Sequence, residues 1–304
     1  MARSPQTQLF SRNIPGGVNV FSDLLKHGTG NIFWVDSVNG STSNSGTAPT
    51  DALATWDAAV NKCTANQGDL IVLMENHAES ITAAAGVDLD VAGVRTVGLG
   101  SGAQIPEIKL TTAATADVDV DAADVTIENV HFKSGYADIN HCVDVNATGC
   151  TIKNCKFTED DDDENFKICI LGASSTTSSG LTVEGCYCLQ DDAANTHFVS
   201  LPGTSKGDII RDNVILGDFG TAAIGAAGVV TFCTVLDNVI SNAATDNDAA
   251  VNMHSSATGL VMRNLCGGGA AQANGITATA CAVAENYYGV TSEDLSAILD
   301  PIAT

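Results

Sequence analysis

The sequence predicts an all-β fold: a single-stranded, right-handed parallel β-helix with an N-terminal α-helical cap. Three observations carry that prediction. The first is self-similarity. The stretch DVDVDAADVTIENVHF (117–132) lies over CVDVNATGCTIKNCKF (142–157) at an offset of 25 without a gap. Weaker copies begin at 181 (LTVEGCYC), 208 (DIIRDNVI), 233 (CTVLDNVI), 260 (LVMRNLCG) and 281 (CAVAENYY). A period of about 26 residues is that of a solenoid whose units bury their apolar faces by stacking. The second is alternation of inward and outward positions within each copy, the period of a strand. The third is composition: 44% hydrophobic but 5% aromatic, with 29 Gly against 6 Pro, which suits thin, regularly layered packing.

The aligned copies define columns. The third position reads Ile127, Ile152, Val183, Ile210, Val235, Met262 and Val283, all apolar, and the first reads Val125, Cys150, Leu181, Asp208, Cys233, Leu260 and Cys281. The fifth reads Asn129, Asn154, Gly185, Asp212, Asp237, Asn264 and Glu285. Asn, Asp and Gly tolerate positive φ, so a sharp bend belongs at or beside this column. Asn129, Asn154, Asp212, Asp237 and Asn264 are therefore expected to form the structural turn ladder. The outward fourth column begins Glu128, Lys153, Glu184, Arg211. Alternating signs on stacked strands avoid like-charge neighbours, although each exposed pair is worth only about 0–1 kcal/mol. A second alternating segment precedes the copies, as in CVDVNAT, FKICILG and AVNMHSS, so each coil holds at least two short strands.

The ends read differently. Residues 31–68 contain a strand around Phe33–Val35, a Ser/Asn/Gly loop, and a helix over 51–64 with Leu53, Trp56, Val60 and Cys63 on one face. Thr50 or Asp51 is its expected N-cap. GDLIVL then starts the coils, which extend over 69–288. In the C-terminal segment, 289–304, SEDLSAILDP is expected to form a short helix over the far end. Residues 1–30 form an arm whose Leu9, Phe10, Phe21, Leu24 and Leu25 suit packing on the first coil or contact with a partner.

The order FWVD, polar loop, ATWDAAV helix, GDLIVL strand resembles the N-terminal cap of the pectate-lyase-like right-handed parallel β-helix superfamily. A closer likeness is to β-helical structural proteins of tailed bacteriophages, through DVAGVRTVGLG (90–100) and AENYYGVTSEDL (284–295). That resemblance implies a virion component, a homotrimer on a capsid or tail that contacts the major capsid protein or another virion protein. No catalytic residues come with it.

The formal charge of −23 disfavours nucleic acid and anionic lipid. No apolar run reaches the length of a membrane span, and the start lacks a signal-peptide pattern, so assembly in a host cytoplasm is expected. Ten cysteines in that setting are read as reduced thiols, with Cys150 and Cys155 as core residues. The run EDDDDE (159–164) offers oxygen ligands for Ca²⁺ but lacks the EF-hand pattern, so a solvated loop is expected. Phosphate-binding and nucleophile-elbow motifs are absent, and His131, His141, His197 and His254 share no obvious column. No enzyme, cofactor or metal is expected. The alternative is a tail spike or fibre that binds a receptor or degrades a polysaccharide.

Overall fold

The structure, a computed structural model, describes residues 30–161, 163–173, 179–243, 249–268, 275–289 and 297–299. It is a parallel β-solenoid. Each full turn supplies one strand to each of three sheets, which hold ten, eight and ten strands. In one turn the chain passes through Val118–Val120 (sheet 2), Thr126–Glu128 (sheet 1) and His131–Gly135 (sheet 3). The eight strands of sheet 2 set about eight complete turns, or roughly 40 Å of stack at the spacing of paired strands. The repeat unit thus contains three strands, within the expectation of at least two. The column read as one element spans sheet 1, a bend, and the start of sheet 3.

The bend falls at the fifth column. Asn129, Asn154, Gly185, Asp212, Asp237 and Glu285 have φ between 53° and 64°. Asn264 does not belong there. Val235 pairs with Val261 rather than Met262, so Arg263, at φ 53°, takes the bend. The aligned copy had slipped by one residue because Gly259, which fills the first position, carries no apolar side chain to mark it.

Asn264 instead stands in the sixth, inward column with Asn213, Asn238 and Asn286, all essentially inaccessible to solvent. Each Oδ1 accepts from the backbone N–H of the residue one turn earlier. Asn213 N reaches Asn238 at 3.1 Å, Asn238 N reaches Asn264 at 3.1 Å, and Asn264 N reaches Asn286 at 2.9 Å. The Nδ2 groups donate along the same ladder at 2.9 Å and also to carbonyls of the preceding turn, Asn238 to Ile210 at 3.0 Å. Four buried amides thereby satisfy the backbone groups that the bend strips from the sheets.

Apolar columns fill the interior. Phe132 and Phe157 stack with centroids 5.2 Å apart, and Phe198 meets Phe157 edge-on at 5.7 Å. All ten cysteines are free thiols, and Cys150, Cys155 and Cys186 are buried. Outside, Glu128 bridges Arg95 and Lys153, while Arg211 pairs with Glu184 at 2.9 Å.

At the N-terminal end the helix is shorter than expected, Trp56–Val60, and Thr55 caps it, its hydroxyl accepting from Ala58 N at 3.3 Å. The reason is Leu53, which is extended and bridges Val35 in parallel, so helix cannot begin before it. Trp56, Ala59 and Val60 are buried against the first strands, and Trp56 Nε1 donates to Thr96 Oγ1 at 3.0 Å. At the other end Ala297–Leu299 is not helical; it pairs antiparallel with Asn286–Tyr288 as the last strand of sheet 3.

Replacing Asn238 by Ala removes the partner of the buried Asn213 N–H and of the Ile210 carbonyl. The loss should be about 2–4 kcal/mol, since each orphaned buried group costs roughly 1–3 kcal/mol. Urea unfolding measures it, and a change under about 0.5 kcal/mol, the level of a neutral surface substitution, would remove the ladder from the account.

Candidate functional site

In-register stacking turns residues about 25 apart in sequence into neighbours. On the outer face of sheet 3, Glu107, His131 and Lys156 are successive register partners. They line a cleft of about 510 Å³ together with Asn76, His77 and Gly102, the last from the short 3-10 turn Gly102–Gln104. That volume is within the range of small-ligand sites.

Burial sets the chemistry of His131. It pushes the imidazole pKa down to about 4, aided by the charges of Lys156 and Lys133, so the ring is neutral at pH 7. His131 Nε2 is 2.7 Å from Thr158 Oγ1, whereas Nδ1 is 3.7 Å from Glu107 Oε2, too far for a hydrogen bond. The Lys156 ammonium has no carboxylate within ion-pair distance among the described residues, and it lies 5.9 Å from the Tyr187 ring centroid. Beside it, His77 is buried, accepts from Ser37 N at 3.0 Å and meets Glu79 Oε2 at 3.1 Å. A neutral imidazole next to such a cation can hydrogen-bond a polar ligand, while a pKa near 4 makes it a weak base at pH 7.

A second cluster lies on sheet 2. Asp88, Asp119 and Asp144 are register partners on consecutive turns. Burial and the surrounding Asp117, Asp144, Asp121 and Asp88 raise the Asp119 carboxyl to about 7. Burial also raises Asp117 and Asp144, although His141 Nε2 stands 3.2 Å from Asp117 and 3.7 Å from Asp144. Carboxyls with separated proton affinities on adjacent strands can hold and release a proton, but the cleft does not extend over this row. Among the described residues no group of three or more His, Cys, Asp or Glu is placed to hold a metal ion.

Within the acidic run Asp161 and Asp163 are exposed, as expected of a solvated loop, whereas Glu159 and Asp160 are engaged. Asp160 pairs with both Lys109 and Lys133. Glu159 is half-buried against the 191–195 turn, accepts from Asp191 N at 3.2 Å and Asn195 Nδ2 at 3.3 Å, and is raised to about 7, chiefly by burial. Of the histidines, His197 is half-buried, with its pKa pushed down to about 4 by burial, while His254 accepts from Ser256 N in a turn. Leu9, Phe10, Phe21, Leu24 and Leu25 lie outside the described residues. The cleft was missed from sequence because the seventh column, which begins His131, Lys156, Tyr187, was not read.

A carboxyl with a raised folded pKa binds its proton more tightly when folded. Its contribution is therefore full below the ordinary carboxylate range and is lost as pH rises through about 7. Asp119→Asn should leave the melting temperature nearly unchanged at pH 4 but raise it at pH 8. Solvent reaches this row, so the gain is modest, about 2–4 °C. Equal shifts at the two pH values would exclude the acidic row as its cause.

No protein-family profile matches the chain. No curated protein sequence matches it either. Among solved structures it is similar to a GH136 lacto-N-biosidase from Eubacterium ramulus at 11% identity and TM-score 0.42, over 86% of this chain and 68% of that one. The native form of the same enzyme gives 11% identity and TM-score 0.39 over 88% and 69%. A rhamnogalacturonan lyase gives 11% identity and TM-score 0.43 over 84% of this chain and 87% of that one.

Proposed function

We propose that the chain is a structural protein of a bacteriophage virion, a right-handed β-helical rod that assembles as a homotrimer and decorates or cements the capsid. One observation carries the structural half of this reading: the chain spends its polar side chains on turn-to-turn contacts. The buried Asn213–Asn286 ladder and the outward Arg95–Glu128–Lys153, Glu184–Arg211 and Asp237–Arg263 pairs all join successive coils. Such cross-bracing makes a stiff spacer. Handedness follows from the near-universal hand of parallel crossovers. The helix Trp56–Val60, packed on the first strands, serves as the N-terminal cap that an open stack needs. The viral half rests on DVAGVRTVGLG and AENYYGVTSEDL. Quantitative mass spectrometry of purified particles encoding this chain should find it at hundreds of copies per virion. Its absence from intact particles would overturn the proposal, and a few copies would move it to the tail.

The cleft favours a second reading, a tail β-helix that binds or cleaves a saccharide. In that case binding to a panel of acidic and neutral polysaccharides should fall at least tenfold in Lys156→Ala, read by calorimetry, with cleavage followed by released reducing ends. Absence of both binding and cleavage, with and without Ca²⁺, would eliminate this alternative.

A further inference from the structure

The outer column of sheet 3 changes character along the rod. After Glu107, His131 and Lys156 it continues through Tyr187, Val214, Val239, Leu265 and Tyr287, each the register partner of the one before. Leu189 stands in the adjoining outward column. Seven large apolar side chains are exposed among the described residues, and four lie here: Leu189 (42%), Val239 (40%), Leu265 (53%) and Tyr287 (49%). Together they expose roughly a few hundred Å² of apolar surface, comparable to the largest patch on a typical monomer, which is often functional.

We infer that this strip is the surface through which one copy of the chain packs side by side on another. The inference rests on the reading above that the chain self-associates, and it names the face. Three features favour a second copy as the occupant. Charge is the first: the chain carries −23, so copies can approach only where acids are missing, and the strip column is uncharged from Tyr187 to Tyr287. Shape is the second. Ser241, Gly267 and Gly289 continue the adjoining column, and among the described residues a Cβ at Gly289 would meet nothing within 4 Å. The fold does not require that side chain to be absent, whereas a sheet packed about 10 Å away gains from the room. Direction is the third. The strip crosses five successive turns of sheet 3, from Tyr187 to Tyr287, and does not sit at the end strand Ala297–Leu299. The strip runs along the stack, so rods aligned side by side bury it throughout its length.

The test is light scattering after gel filtration of the full chain at about 10–100 μM, with Val239→Glu/Leu265→Glu as the strip variant. Asn252→Glu, exposed on sheet 2, is the control. Wild type and control should run as an oligomer that survives 0.5 M NaCl, and the strip variant should fall to the 31.1 kDa monomer with an unchanged circular dichroism spectrum. An oligomer that persists in the strip variant overturns the assigned face while leaving self-association intact. A wild-type chain that is monomeric throughout overturns both the face and the trimer. If such a monomer is nevertheless shielded at Leu265 in intact particles, the strip belongs to a different virion protein.

Discussion

Everything in this molecule depends on one constraint: each turn must return the backbone to the same place, so that strands pair in register from coil to coil. The bend between sheets 1 and 3 enforces it. Asn129, Asn154, Gly185, Asp212, Asp237, Arg263 and Glu285 all take left-handed φ at equivalent positions. For Arg263 and Glu285 that conformation costs energy, because a Cβ crowds the following carbonyl. They hold it because the ladders on either side are already fixed. The Asn213–Asn238–Asn264–Asn286 ladder lies one residue inside the bend and locks its amides in place.

The thiols take part in the same ladder. In the turns before Asn213 the sixth column holds Cys155 and Cys186, whose sulfurs lie 3.8 Å and 3.7 Å from the carbonyls of Ile127 and Ile152. Those carbonyls are equivalent to Val183 O and Ile210 O, which accept from Asn213 and Asn238 Nδ2. The cysteines are weak S–H donors where asparagines are strong ones. Burial raises the Cys186 thiol far above its ordinary range and keeps that proton on sulfur. Cys186 is also the junction, since its backbone N–H donates to Asn213 Oδ1 at 2.9 Å.

Much of this was legible as a 25-residue offset and an Asn/Asp/Gly column, because in-register stacking writes its geometry directly into the period. The losses have physical causes. Sheet 3 was not separated from sheet 1, since only one or two residues, the bend among them, divide strands of three to five residues and leave the alternation nearly unbroken. The helix start was misplaced because Thr50 and Asp51 are good caps in isolation, yet Leu53 is committed to a strand bridge with Val35. Asn264 was placed in the bend column because Gly259 leaves the first position unmarked and its neighbour Arg263 is an improbable left-handed residue by local preference. Only the register of Val261 with Val235 reveals the shift.

The same geometry lets the outward faces differ from turn to turn. A single outward column passes from Glu107, His131 and Lys156 to Val239, Leu265 and Tyr287 with no change in backbone. The interior column beneath it remains apolar, Phe132, Phe157, Cys188, Ile215, Ile240 and Cys266 all being buried. Outward composition can therefore drift without disturbing the stack, because exposed substitutions cost little when the register is held from within. A charged, cleft-bearing half and an uncharged half on one strip are two independent uses of that freedom. The uncharged half is the more telling, since on a chain of −23 a neutral surface five turns long needs a cause outside the chain's own stability.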